Sequence, residues 1–279
     1  MPRLFKRAYV LQVDDLEIRS LPAGGGLNVS FSVERTLRRR PGSVSVKVWN
    51  LSADHRRQLE SIGAGQVYCR LSAGYEEALG QIFEGRLHRA IPSRSGADVI
   101  VEIKSRDGGH ATSTARSSRS HGAGASVSSV VSGLVGDLGL GLGNLPDVLD
   151  QMTIGGVSSF GSGYVASGST AEELDGLFDS AGFEWSVQDG AIQVLPRGRG
   201  LTRAAVRLVS STGLLETGAP DERGRIECKA MMIPELCRPG QLFTLEESRA
   251  GTYRIEKSKA AGEYSSAQSW GVTVTGAPV

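Results

Sequence analysis

The residues with most chemistry to offer are four histidines, three cysteines, two acidic pairs and a run of glycines. His110 and His121 lie in a stretch that also holds Ser117, Ser118 and Ser120. A Ser-His-Asp arrangement for acyl transfer is the activity such a stretch could house, yet no G-x-S-x-G elbow accompanies it, and polar loop roles explain both rings. His55 and His88 stand apart, and no pair has the H-E-x-x-H spacing that sets two imidazoles on one helix face. Cys69, Cys228 and Cys237 are odd in number and lack C-x-x-C spacing, so they predict reduced thiols rather than a zinc site or a disulfide framework. Asp14-Asp15 and Glu172-Glu173 have the composition of a glycosidase acid pair. The first sits at a strand end and the second in the first turn of a helix, where turn geometry and the helix dipole account for them. Gly139-Leu140-Gly141-Leu142-Gly143 lacks the Lys-Ser/Thr of a phosphate loop and follows a helical pattern rather than a strand. These residues predict no catalytic group, no bound cofactor and no metal.

Charge points the same way. Lys and Arg number 31 against 30 Asp and Glu, for a net charge of +1 over 279 residues. That argues against a dedicated nucleic-acid binder or a polybasic membrane anchor. No window approaches the roughly 18 apolar residues of a membrane span, and no apolar run follows Arg3, Lys6 and Arg7, so no export signal is expected. The densest basic cluster is Arg38-Arg39-Arg40, with Arg94, Arg106, Arg116 and Arg119 further on. It reads as a solvated hairpin tip or as a docking surface for an acidic face of a neighbouring subunit.

The elements that must position these groups are mostly strands. Leu27, Val29, Phe31 and Val33 alternate with polar residues, as do Val44, Val46 and Val48, then Val67, Cys69 and Leu71, then Phe83, Gly85 and Leu87, then Val99, Val101 and Ile103. Pro22–Gly26, Pro41-Gly42, Ala73-Gly74 and Ser95-Gly96 supply turns between them. Such a series predicts a small barrel or sandwich. A helix at 53–62 interrupts it, capped by Ser52 and ended by Gly63 and Gly65, with Leu59 and Ile62 inward. The stretch 108–168 is rich in Gly and Ser and nearly free of charge, the composition of a punctuated or flexible segment that orders on docking. Within it, Val127, Val130, Val131, Leu134, Val135 and Leu138 are spaced for one helix face. A second helix starts at Ser169 or Thr170, ends at Gly182, and leads into a hairpin turning at Asp189-Gly190. Strands resume at Ile226, Cys228 and Ala230, at Tyr253 and Ile255, and at Trp270, Val272 and Val274.

One internal echo organises the chain. Gly65–Leu71 followed by Gly85–Ile91 is matched by Gly240–Leu245 followed by Gly251–Lys257, and Met231–Leu236 stands where Trp49–Ser52 and its helix stood. The expected fold is mainly β with an α+β insert. Residues 1–107 form a first barrel, 108–198 the Gly/Ser-rich segment and α+β module, and 199–279 a second barrel.

With these pieces in place, the chain resembles the baseplate hub proteins of bacteriophage contractile tails, often described as late control protein D. The resemblance rests on Val44–Ser52, Arg57-Gln58-Leu59, Leu71–Tyr75 followed by Ile82–Gly85, Thr170–Phe178 leading to Gly182–Gly198, Ser211–Glu246, and Thr252–Glu256. It implies two tail-tube-like barrels per chain and a homotrimer forming a pseudo-sixfold ring. That ring would join the hexameric tail tube to the trimeric spike and line a channel through which DNA passes transiently. It implies a virion component assembled in the host cytoplasm, with the tube protein, the spike protein and other baseplate proteins as partners and no catalysis. Arg38, Arg39, Arg40, Trp49, Arg116 and Arg119 are the candidate subunit-interface residues. Two other readings stay open: a glycan-binding or peptidoglycan-hydrolysing β-protein using the Gly/Ser stretch as an active-site loop, and the hub of a type VI or tailocin-like injection machine.

Overall fold

Alternating apolar residues build the body of the protein. The computed structural model describes residues 6–20, 26–38, 41–247, 249–266 and 270–279. The N-terminal unit contains β1 (Arg7–Val13), β2 (Leu16–Arg19), β3 (Val29–Thr36), β4 (Ser43–Trp49), α1 (Ala53–Ser61), β5 (Tyr68–Tyr75), β6 (Ala78–Ser95) and β7 (Asp98–Arg106). β3 buries Val29, Phe31, Val33 and Arg35 on one face, and β4 buries Val44, Val46 and Val48. α1 starts where the Ser52 hydroxyl accepts the His55 N–H at 3.2 Å, and of its residues Leu59 is buried.

The segment 108–168 is regular structure, not an open loop. It carries α2 (Gly109–Thr114), β8 (Arg116–His121), β9 (Ala125–Ser126), α3 (Val127–Leu138), α4 (Leu145–Val148), β10 (Ser159–Phe160) and most of β11 (Tyr164–Ser169). Small residues permit this order because β8 and β11 pair along their whole length, while α3 buries all six of its periodic apolar residues. α5 (Thr170–Ser180) and the hairpin β12 (Phe183–Gln188) and β13 (Ala191–Pro196) complete the module. Leu134, Leu174, Phe178, Trp185 and Ile192 belong to a core that is separate from that of the strands around it.

The C-terminal unit contains β14 (Val206–Leu208), β15 (Leu214–Thr217), β16 (Ile226–Met231), a 3-10 turn at Pro234–Cys237, β17 (Leu242–Leu245), β18 (Gly251–Glu263) and β19 (Trp270–Pro278). Five of its six strands repeat five of the seven in the N-terminal unit. β15-β16-β19-β18-β17 has the connectivity of β3-β4-β7-β6-β5, and the 3-10 turn takes the place of α1. The match extends to single residues. Gly65 donates its N–H to the Leu87 carbonyl at 2.7 Å, and Gly240 donates to Ile255 at 2.7 Å; both glycines have positive φ. β6 shifts register against β7 between Leu87 and Arg89, and β18 shifts against β19 between Ile255 and Lys257.

The two barrel units are continuous with each other. β18 pairs antiparallel with β3 from Lys257↔Thr36 to Glu263↔Ser30, giving one 13-stranded sheet among the described residues. A single apolar core follows from this, uniting Leu59 and Phe83 of the first unit with Phe243 and Val274 of the second. Trp270 bridges the units: its indole N–H donates to the Gly74 carbonyl at 3.0 Å, and its ring meets Phe31 edge-on at 5.2 Å.

Candidate functional site

The structure gives the chemistry-bearing residues ordinary structural work. His110 is exposed on α2, and the Ser113 and Thr114 hydroxyls donate to its backbone carbonyl. His121 ends β8, with Nε2 buried and unpartnered. Ser117 is buried between Asp137 and Thr170, at 2.7 and 2.8 Å. Asp14 occupies the turn after β1 with φ of 54°. Glu173 accepts the Tyr164 hydroxyl at 2.5 Å and the Ser167 N–H at 3.2 Å, and burial together with that carboxylate pushes the Tyr164 phenol up. In the glycine run, Gly139 caps α3 in the left-handed region, while Gly141 donates to Gly190 and accepts from Ile192. Cys69, Cys228 and Cys237 are buried free thiols, pushed by burial to about 12, 11 and 12, so thiolate chemistry is suppressed. Among the described residues there is no group of three or more His, Cys, Asp or Glu side chains placed to hold a metal, and no helix is long and apolar enough to cross a membrane.

The four candidate interface residues that the structure describes do not make one patch. Arg38 is exposed at the rim of a cleft of about 830 Å³ between the β body and the middle module, whose walls include Asp175, Phe178, Glu184, Trp185 and Lys257. Arg39 and Arg40 lie outside the described residues. Trp49 is half-buried at the opposite end of the β3–β4 ladder, roughly 20 Å from Arg38 at the rise of a strand. Arg116 bonds the carbonyls of Ser113 and Ala115, and Arg119 is paired with Asp137 on α3.

Two features are absent from the sequence reading. The first is a buried polar junction seating the tip of β12–β13 on the body. Asp107 accepts the N–H groups of Asp189 at 2.6 Å and Gly190 at 3.0 Å, and Arg35 donates to Asp189 at 2.5 Å. Gln188 donates to the Pro239 carbonyl at 3.0 Å, and the Arg35 guanidinium also lies 5.5 Å from the Phe83 ring centre. Asp107 and Arg35 are both buried, and burial pushes the Asp107 carboxyl up to about 6 against the pull of Arg35. Arg35 follows Val29, Phe31 and Val33 on the inward face, so parity was the available signal.

The second feature, among the described residues, is a set of open sheet edges, two of which fall where the duplicated units differ. β6 pairs with β5 through Arg86 and with β7 beyond it, so the other edge of Arg89–Ser95 carries no strand among the described residues. β15 pairs with β16 alone. Ile91 and Leu215 are exposed on these two strands.

Comparison with known proteins places this architecture. No protein-family model matches the sequence, and no curated protein is recognisably similar to it. The fold, however, is shared end to end with tail proteins. A 43 kDa tail protein of prophage MuSo2 from Shewanella oneidensis superposes with a TM-score of 0.63 at 9% identity, over 98% of this chain and 97% of that one. A tail protein from Neisseria meningitidis gives 0.62 at 8% identity, over 98% and 97%. An E. coli type VI secretion component, described as similar to the T4 bacteriophage tail proteins gp27 and gp5, gives 0.61 at 10% identity, over 96% and 76%. The chain thus shares the fold of these phage tail and type VI secretion proteins: mainly β, with two tail-type β-barrel units around an α+β module.

Proposed function

We propose that the chain is a structural hub of a phage tail baseplate, with no catalytic activity. Three copies form a pseudo-sixfold ring that joins the hexameric tail tube to the trimeric spike and lines the channel used by DNA. The tail tube protein, the spike protein and other baseplate proteins are its partners, in a virion tail assembled in the host cytoplasm. The observation that carries this reading is the duplication: each chain holds the same strand–turn–strand unit twice, so three chains present six. End-to-end likeness to tail proteins supports it, and the type VI component among them supports the equivalent hub of a related injection machine as the second reading. Mass measurement in solution followed by particle imaging tests it. A ring of three chains with sixfold appearance is expected; a monomer at every concentration, alone and with its tail neighbours, overturns it.

A further inference from the structure

The polar contacts that seat the middle module on the β body lie along one hairpin, β12–β13. At its tip, Asp107 accepts the Asp189 and Gly190 N–H groups, Arg35 donates to Asp189, and Gln188 reaches the Pro239 carbonyl. At its base, the buried Arg254 of β18 faces Glu184 of β12 at 3.4 Å and donates to the Arg199 carbonyl at 3.2 Å. Apolar packing follows the same line: a Cβ added at Gly240 of the body would come within 2.6 Å of the Leu195 side chain on β13. The chain also crosses between body and module at the two ends of this hairpin. It enters at Asp107-Gly108, beside the tip, where Gly108 has a φ of 68° and lies tight against Val187. It leaves from the base through Arg197-Gly198-Arg199-Gly200. Seats and crossings share one axis, which is the geometry of a hinge.

Away from that axis the body and the module part. α5 packs against α2, α3, β11 and β12, all of its own module. Between α5 and the body lies the cleft of about 830 Å³. Its body wall is a cross-strand row, Thr36 of β3, Lys257 of β18 and Thr275 of β19, flanked by Arg38 and Arg225. Its module wall carries Asp175 and Asp179 of α5 and Glu184 of β12. The body wall is thus mainly basic and the module wall mainly acidic. Arg225 is paired with Asp221 and Glu256, whereas Arg38 and Lys257 are exposed and make no ion pair among the described residues.

We infer that the module swings about the β12–β13 hairpin and closes α5 onto the body wall, bringing its acidic face to Arg38 and Lys257. Opposite charges on facing walls attract through the water between them, over a reach of about 30 Å at 0.01 M salt and about 3 Å at 1 M. Low ionic strength therefore favours the closed position, while the buried contacts of the hairpin keep the axis in place. A partner that touches both α5 and β18 selects one of the two positions.

Distance measurement between spin labels tests the hinge. Gly176 of α5 and Thr275 of β19 stand on opposite walls, and a Cβ at Gly176 meets nothing within 4 Å. The variant G176C/T275C takes a label on each wall, because the native thiols are buried. Labelled chain is diluted with unlabelled chain, so the distances read are those within a chain and hold whether or not it forms a ring. A short distance should be prominent at about 0.01 M salt and fall away at about 1 M. S43C/T275C, with both labels on the body, should give the same distance in both. R38E/K257E reverses two exposed charges and should remove the short distance at low salt while leaving the melting temperature unchanged. One distance, as narrow as that of the body control and indifferent to salt and to charge reversal, overturns the hinge. A short distance that persists in R38E/K257E overturns closure onto these two residues.

Discussion

The N-terminal and C-terminal β units share one connectivity and differ in what covers them. In the first, β3 is sealed by β18 and α1 closes the corner between β4 and β5; in the second, β15 is bare and a 3-10 turn serves instead. The difference teaches that one connectivity can be completed in two ways within a single chain. β3 is covered where its counterpart β15 is open, and β18 past its register shift is covered where β6 is open, whereas β5 and β17 are both covered, by β1 and β14.

The comparison breaks first in the core. If the units share one core, truncating either should unfold both. Phe83→Ala, at a fully buried position of the first unit, should cost about 3–5 kcal/mol, and Phe243→Ala in the second should cost a similar amount. Denaturant titration should show the β body losing structure in one transition each time; two separate transitions would mean two independent barrels.

Next in size is the junction between the body and the module. The folded chain holds a proton on Asp107 up to about pH 6, above the carboxylate's ordinary 3.8. Between about pH 4 and 6 the folded state therefore binds more protons than the unfolded one, and this group's contribution falls as pH rises through that window. The expected span is on the order of 2–3 kcal/mol. It should be read as the difference between wild type and Asp107→Asn, because Asp137, held low by its hydrogen bond from Arg119, pulls the other way at acid pH. A pH profile unchanged in the variant would contradict the assignment.

The corner helix sharpens the comparison more gently. Ser52→Ala removes the cap of α1, which has no counterpart on the 3-10 turn, and should lower stability by about 1 kcal/mol in thermal melts. The smallest effect belongs to Lys259→Ala. The pair with Glu34 is half-exposed on both sides, so its loss should change the unfolding free energy by less than about 1 kcal/mol. A larger loss would make charge, rather than the backbone ladder, the main bond of the joint.

Much of this was legible in residue order. The alternations at Val29–Val33, Val44–Val48 and Trp270–Val274 mark strands with one buried face, and the Asp189-Gly190 turn sits where the sequence puts it, with φ of 55° and 76°. The internal echo marks β5 with β17 and β6 with β18, although its alignment of Gly85 on Gly251 is two residues away from the structural match of Leu87 on Ile255. The insertions responsible lie in the hairpin lengths, which a short repeat cannot reveal. β1 entered the sequence reading only as the strand end at Asp14-Asp15 and β2 not at all, and Arg35 escaped it because a charged residue on an inward position resembles the end of a strand. No local pattern records the β18–β3 joint, since its partners stand more than two hundred residues apart.

That separation has a consequence for biosynthesis. The edge of Val29–Thr36 leaves the ribosome more than two hundred residues ahead of Lys257–Glu263, the residues that cover it. Loop closure over such a distance is slow, and an unpaired strand edge is open to encounters with other nascent chains. During translation the edge of β3 therefore stays bare until β18 is made, and the delay between the two sets how long the first unit is exposed to wrong pairing.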